Sequence, residues 1–380
     1  MPLAEKALIA RIRRIAGFAR STRASKILTG IGDDCAVLRL RPQQDSLVTT
    51  DFSLEGIHFR RDWHPAESVG HRCLTRGLSD ITAMGGEPVA AFLSLALPRD
   101  LPQSWVGRFT RGLVNLAEGH KVTLAGGDTA ESPDGILADI VLLGAVPKGK
   151  AVLRSGAHPG DRIYVSGELG GSAAAVVEFE HLERRMRHPE GPRFHQRAEG
   201  SRVTRTRPTG DATDGAPPLS RSVRQRGDFD SPDFQEPSHP KPTPRTYPRH
   251  FYPEPRLALG RTLREKGLVS AMIDTSDGLS TDLAHICEES RVGAEIVAEW
   301  IPRARVGRSR REVSLELALH GGEDYELLFT ASASKRIPSQ IAGVPLTYIG
   351  VITRTAGISI RDANGVFHHL SVRGWEHFGR

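Results

Sequence analysis

An apolar run that ends at an aspartate recurs through this chain, and each recurrence restricts how the chain can fold. The clearest case is AMIDTSDGLSTD, residues 271–282. The run stops at Asp274, Asp277 and Gly278 follow, and Leu279, Leu283, Ile286 and Cys287 then share one face at helical spacing. A buried strand that turns at a carboxylate into a helix start attracts phosphate through the free N–H groups of the first turn. Its carboxylate oxygens suit a hard cation. Ser276 is placed to cap the turn. By themselves these residues also suit a plain helix cap beside a solvated strand end.

The pattern returns in GIGDDCAVL (30–38), SLVTTD (46–51) and VTLAGGDT (122–129), and in helical form in LSDITAMGG (78–86). Acids about 4 Å apart repel by about 4 kcal/mol per pair at an effective dielectric near 20. If these aspartates converge, cations must neutralise them, so the pattern predicts several divalent ions. In the helical copy, Asp80 stands near a helix C-terminus, where the macrodipole disfavours it and a nearby cation would compensate.

Alternating strands and helices predict an α/β or α+β chain. Helices are expected over 65–84, 103–119, 172–187, 250–266 and 314–320, with strands over 47–50, 89–97, 122–125, 136–146, 162–165, 294–297 and 325–330. Residues 8–25 are Arg-rich and free of acids, as presequences are, but the spacing of Leu8, Ile9, Ile12 and Ile15 favours an ordinary first helix. The 380 residues suffice for two domains, 1–149 and 150–380. Within the second, residues 188–246 are dense in Pro, Arg, Ser and Gly and poor in large aliphatics, which predicts a disordered surface insertion. The chain's net charge is +6, but much of the excess arginine lies in this segment, so nucleic acid is not the expected partner. Cys35, Cys73 and Cys287 have no C-x-x-C spacing, which fits a reducing cytoplasm. No apolar run approaches the roughly 20 residues needed to span a bilayer, so no membrane partner is expected. P-loop, Rossmann and nucleophile-elbow motifs are missing.

Single residues stay open at this level. His58 is either a surface histidine or a ligand, Arg154 either solvated or a fork for phosphate oxygens, and Gly126-Gly127-Asp128 either a tight turn or a close backbone approach. Glu323, in the run HGGED, could face a ligand, while Trp375 suits an anchor for the tail.

Taken together, GIGDDCAVL, TTDFSLEGIHF, LSDITAMGGEP, LAGGDT, LRSGAHPGD, IDTSDGLSTDLAHI, GGEDYELLFT and GWEHFG resemble the thiamine-monophosphate kinases, in that family's order and across the chain apart from 188–246. The resemblance implies a two-domain aminoimidazole ribonucleotide synthetase-like fold. It also implies a homodimer whose N-terminal strands share a barrel, with ATP and several Mg²⁺ ions bound between the domains. By position, Asp34, Thr49, Thr50, Asp51, Asp80, Asp128, Asp274 and Asp277 look like magnesium ligands. Gly127, Asp128, Arg154 and Ser276 look like nucleotide contacts, and His58, Glu323 and Trp375 like contacts to thiamine monophosphate. Residues 72–77, RCLTRG, depart from the family's Lys-Ala-x-x-x-Asn, which leaves a possible hydrogen bond near Asp80 unmade. If residues 188–246 are a surface insertion, deleting about 189–242 leaves a cooperative thermal transition, followed by circular dichroism. Loss of that transition would make the segment structural.

Overall fold

The structure, a computed structural model, describes residues 5–15, 27–29, 37–38, 41–187 and 241–374. The chain divides into two compact units, one of Met1–Glu180 with Pro242–Arg380 and one of His181–Lys241. Both large sheets and the candidate site belong to the first. The insertion expected at 188–246 lies outside the described residues up to 240.

The N-terminal half runs α1 (Glu5–Ile15), β1 (Ile27–Thr29), β2 (Val37–Leu38), β3 (Gln44–Leu54), α2 (Ala66–Ala83), β4 (Glu87–Pro98), α3 (Gln103–Gly119), β5 (Thr123–Ser132) and β6 (Leu137–Pro147). Four of these strands form a sheet in the order β3-β6-β4-β5, with only β4 and β5 parallel. Helices α2 and α3 cover one face, with Leu74, Leu78, Phe109 and Leu113 packed on Ile140 and Leu142. The helices approach closely because glycines meet at their crossing. A Cβ on Gly70 would lie 2.0 Å from the Phe109 carbonyl oxygen, and one on Gly112 would lie 1.9 Å from that of Glu67. On the other face Val48 is 67% and Phe52 53% exposed. The sheet is open, and no closed barrel forms among the described residues.

Two local differences from the sequence reading matter for the site. Strand β3 does not stop at Asp51 but continues to Leu54. Its alternation turns Leu47, Thr49, Asp51 and Ser53 toward α2 and leaves Ser46, Val48, Thr50 and Phe52 outward. Strand β5 runs straight through Gly126-Gly127-Asp128, which is not a turn. A bulge between Ala91 and Phe92 brings the β4 backbone so near that a Cβ on Gly127 would sit 1.8 Å from the Leu93 carbonyl oxygen. The glycine is therefore required by strand pairing.

The C-terminal half contains β7 (Arg162–Ser166), α4 (Gly171–Arg187), α5 (Pro248–Phe251), α6 (Leu257–Glu265), β8 (Ala271–Asp274), α7 (Leu279–Ser290) and β9 (Gly293–Val297). It continues with β10 (Arg305–Val306), β11 (Arg311–Glu312), α8 (Leu315–His320), β12 (Leu327–Ala331), β13 (Gln340–Ile341), β14 (Val344–Thr353), β15 (Gly357–Arg361) and β16 (Phe367–His369). Its sheet has the order β16-β15-β9-β14-β7-β12-β8, with β13 attached to β14. Helix α7 packs on one face through Leu279, Leu283 and Ile286, and α6 packs on the other through Leu259 and Leu263. The single helix expected at 250–266 is two helices, because Pro253 and Pro255 interrupt it. Ser276 does not cap α7. The N-cap is Gly278, and its N–H donates to the Asp282 carboxylate one turn on, at 3.0 Å.

Gly112→Ala should force α2 and α3 apart. The cost expected is about 1–3 kcal/mol, read as a lowered denaturation midpoint in urea with an unchanged slope.

Candidate active site

Helix α2 crosses the molecule with fourteen buried residues, Arg72, Thr75, Ser79 and Thr82 among them. Burial of polar side chains requires partners. Thr75 and Thr82 bond back to the carbonyls of His71 and Leu78. Ser79 donates to Asp274 Oδ2 at 2.7 Å, tying α2 to the end of β8. Next to it, Asp80 accepts from Thr49 of β3. Asp51, Asp80 and Asp274 thus meet from three separate elements. Burial raises the Asp51 carboxyl above its usual range, and Asp80 adds to the rise while Arg76 opposes it. Burial likewise raises Asp274, again with Asp80 adding to it. Burial and the charges of Asp274 and Asp277 push Asp282 well up.

These acids border a cavity of about 550 Å³. Of the residues picked out in the sequence, Asp51, His58, Asp80 and Asp274 line it, as do Ser276, Asp277 and Glu323. Thr49 supports Asp80 without lining the cavity. Thr50 faces outward and donates to Asp139 at 2.7 Å. Gly127 and Asp128 are exposed in β5, where Asp128 accepts from the Thr129 N–H at 2.8 Å. Arg154 is exposed and outside the lining, although its charge acts on Asp274. Asp34 and Trp375 lie outside the described residues. Gly77, where the family pattern has Asn, packs against β6, and a Cβ there would lie 3.2 Å from Leu142 Cβ.

Beside the aspartates stands a corner built from α2 and the HGGED loop. Arg72 Nη2 donates to Glu323 Oε2 at 2.6 Å, and Arg76 Nη1 donates to Glu323 Oε1 at 3.2 Å and to Tyr325 Oη at 3.3 Å. Burial would raise the Glu323 carboxyl, but the two guanidinium groups outweigh it and bring it to about 2. The loop reaches this corner through left-handed backbone at Glu323 (φ 65°) and Tyr325 (φ 52°). Their N–H groups donate to the Ser276 and Thr275 carbonyls at 2.8 and 3.0 Å. Between them, Asp324 turns the other way and accepts from the Gly170 and Ser172 N–H groups at 2.6 and 3.2 Å. Burial holds its carboxyl near 7 even so. Arg72, Arg76 and Asp80 were legible as an i, i+4, i+8 row on one helix, the signal that would have found this corner.

Behind the corner lies a histidine pair. His64 Nε2 and His250 Nε2 are 2.9 Å apart, and His250 Nδ1 is 3.0 Å from the hydroxyl of Ser172, which lines the cavity. Burial and then Arg72 lower both rings, His64 to about 4.

The comparisons define a class first. Residues 32–146 match the family described as AIR synthase related protein, N-terminal domain. Over 357 residues the chain is 34% identical to the thiamine-monophosphate kinase of Escherichia coli (strain K12), covering 92% of this chain and 91% of that protein. The chain belongs to the thiamine-monophosphate kinase family. The crystal structure of thiamine-monophosphate kinase from Stenotrophomonas maltophilia K279a is similar at a TM-score of 0.68 and 31% identity, over 95% of this chain and 97% of that one. AaThiL, solved in complex with AMPPCP and TMP, is similar at a TM-score of 0.64 and 26% identity, over 100% and 99%.

The histidine pair carries a pH dependence. Unfolded, His64 takes up its proton near 6.5, and folded it resists until about 4. Acid between those values favours the unfolded chain, so this contribution is complete above pH 6.5 and lost as pH falls to 4. The amount is on the order of 3 kcal/mol. Urea unfolding of wild type and His64→Gln at pH 7 and pH 5 checks it: the difference between the two should shrink at the lower pH.

Proposed function

We propose that the protein transfers the γ-phosphate of ATP directly to the phosphate of thiamine monophosphate, giving thiamine diphosphate and ADP. The observation that carries this reading is the meeting of Asp51, Asp80 and Asp274, the first two half-buried and the third buried, at the wall of one cavity. A related protein was solved with AMPPCP and TMP together, which supports the choice of both substrates.

The donor set suits magnesium. It consists of hard carboxylate oxygens, and burial together with the neighbouring Asp80 charge raises the proton affinity of Asp51 and Asp274, the condition a divalent cation relieves. Among the described residues no three His, Cys, Asp or Glu side chains are already gathered into a ligand shell. Asp51, Asp80, Asp274 and Asp277 would hold the ions, with Asp34, Thr49, Thr50 and Asp128 assigned to the same task by family position. Bound Mg²⁺ supplies charge neutralisation and in-line alignment of the attacking and leaving oxygens.

The protein's own groups do the rest. Phosphate monoesters have a second pKa near 6, so the acceptor oxygen is already anionic at neutral pH and no general base is needed. Ser276 begins the turn into α7, and with Gly127, Asp128 and Arg154 it is assigned to the nucleotide. His58, Glu323 and Trp375 are assigned to thiamine monophosphate. Ile57, Val176, Val177 and Leu317 give the cavity an apolar side suited to aromatic rings. Because Arg72 and Arg76 already answer its charge, Glu323 acts by placing them more than by attracting the cationic thiazolium.

Domains of 1–149 and 150–380, one for each sheet, belong to this reading. So does a homodimer, in which the open face carrying Val48 and Phe52 pairs with its copy to close a shared barrel. No helix among the described residues is long and apolar enough to cross a membrane, and Cys73 and Cys287 are free and buried. We place the protein in the cytoplasm.

Asp51→Asn and Asp274→Asn should each lower kcat by at least roughly 100-fold, with partial rescue at high Mg²⁺. Without divalent cations at pH 8 the same variants should melt no lower than wild type, because each removes a crowded charge. Wild-type turnover in either variant removes the metal assignment.

A further inference from the structure

We propose that Arg76 grips the phosphate of the acceptor, held in position by Glu323, Arg72 and Tyr325; the inference rests on the kinase reading above. Arg76 is the single Arg or Lys among the described residues that line the cavity. The wall around it is acidic, with Asp51, Asp80, Asp274 and Asp277 to one side. A dianionic acceptor brought against such a wall needs a positive group of the protein's own.

Arg76 is built to be that group. Its charge is not spent on Glu323, since Arg72 closes the same carboxylate more tightly, at 2.6 Å against 3.2 Å. Arg76 therefore shares Glu323 with Arg72, and its remaining charged partner is Asp51, an acid that a bound cation would draw away from it. Both hydrogen bonds of Arg76 leave from Nη1. Its Nε is buried and makes no hydrogen bond among the described residues, and Asp51 Oδ1 stands off at 3.7 Å. The Nε–Nη2 edge thus makes no hydrogen bond and is held only by the longer ion pair to Asp51, and that edge is the planar fork that matches two oxygens of a phosphate. The head is also fixed before any ligand arrives. The loop bearing Glu323 and Tyr325 is pinned to residues 275–276 by two backbone hydrogen bonds. Through Asp51 the same arginine adjoins the aspartate group, where the donor phosphate would be held. A phosphate on Arg76 is thus placed next to the group it attacks.

The cavity could offer Arg76 two phosphates, the acceptor's and the terminal one of ATP, and the variants Arg76→Gln and Arg76→Lys separate them. Calorimetry without nucleotide or metal measures thiamine monophosphate binding, and steady-state kinetics with Mg·ATP measures both KM values and inhibition by unphosphorylated thiamine. Arg76→Gln should weaken thiamine monophosphate roughly 10- to 100-fold in Kd and KM, the size of a lost charge-assisted hydrogen bond. KM for ATP and the inhibition constant of thiamine should stay within about twofold, and Arg76→Lys should recover part of the loss. A rise in KM for ATP alone would move Arg76 to the nucleotide and overturn the proposal. Equal weakening of thiamine and its monophosphate would do the same, by making Arg76 a wall and not a phosphate ligand. Wild-type protein that neither binds nor phosphorylates thiamine monophosphate would remove the kinase reading itself. Normal wild-type kinetics with an unaffected Arg76→Gln would remove only this inference.

Discussion

Three carboxylates crowded at one cavity wall, one buried and two half-buried, set the terms for the rest of the molecule. Asp51 comes from the inward side of β3, Asp80 from the end of α2, and Asp274 from the last residue of β8. None of them could stay there in an isolated sheet or helix. They persist because α2 is packed between both sheets, and because Ser79 and Thr49 give two of the acids a hydroxyl partner. Apolar burial fixes the helix that carries Asp80, with Leu74, Leu78 and Ile81 almost wholly enclosed.

The cavity is electrically divided as a result. One side is lined by aspartates, and the adjoining corner keeps two arginines on one glutamate. One helix supplies both sides, since Arg72, Arg76 and Asp80 fall one turn apart. A rotation of α2 would displace the acidic and basic side chains together, so the glycine contacts with α3 fix the placement of these charges as well as the packing.

Much of this was legible in the sequence. Helices α2 and α3 follow their apolar periodicity almost to the residue, and the strand before Asp274 and the helix after it stand where the pattern puts them. The acids that converge were marked by their position after apolar runs. What was hidden depends on contacts distant in sequence. Gly127 reads as a turn residue, yet its role is set by the β4 backbone beside it. Ser276 reads as a cap, yet Asp282 reaches back to do that work. The roles of Arg72 and Arg76 depend on a loop some 250 positions later, which no local pattern reports.

Phe179, near the end of the first segment of the main unit, lies with its ring 6.2 Å from that of Phe251, soon after the chain re-enters at Pro242. Trp63 stacks on Phe179 at 4.6 Å, and His250 sits against it. The exit and return points are clamped to each other by this aromatic packing. For a connection whose ends are already fastened, each doubling of length adds only about 0.6 kcal/mol of closure entropy. Relatives of this chain are therefore free to differ widely in how many residues they spend on that detour while keeping the same catalytic interior.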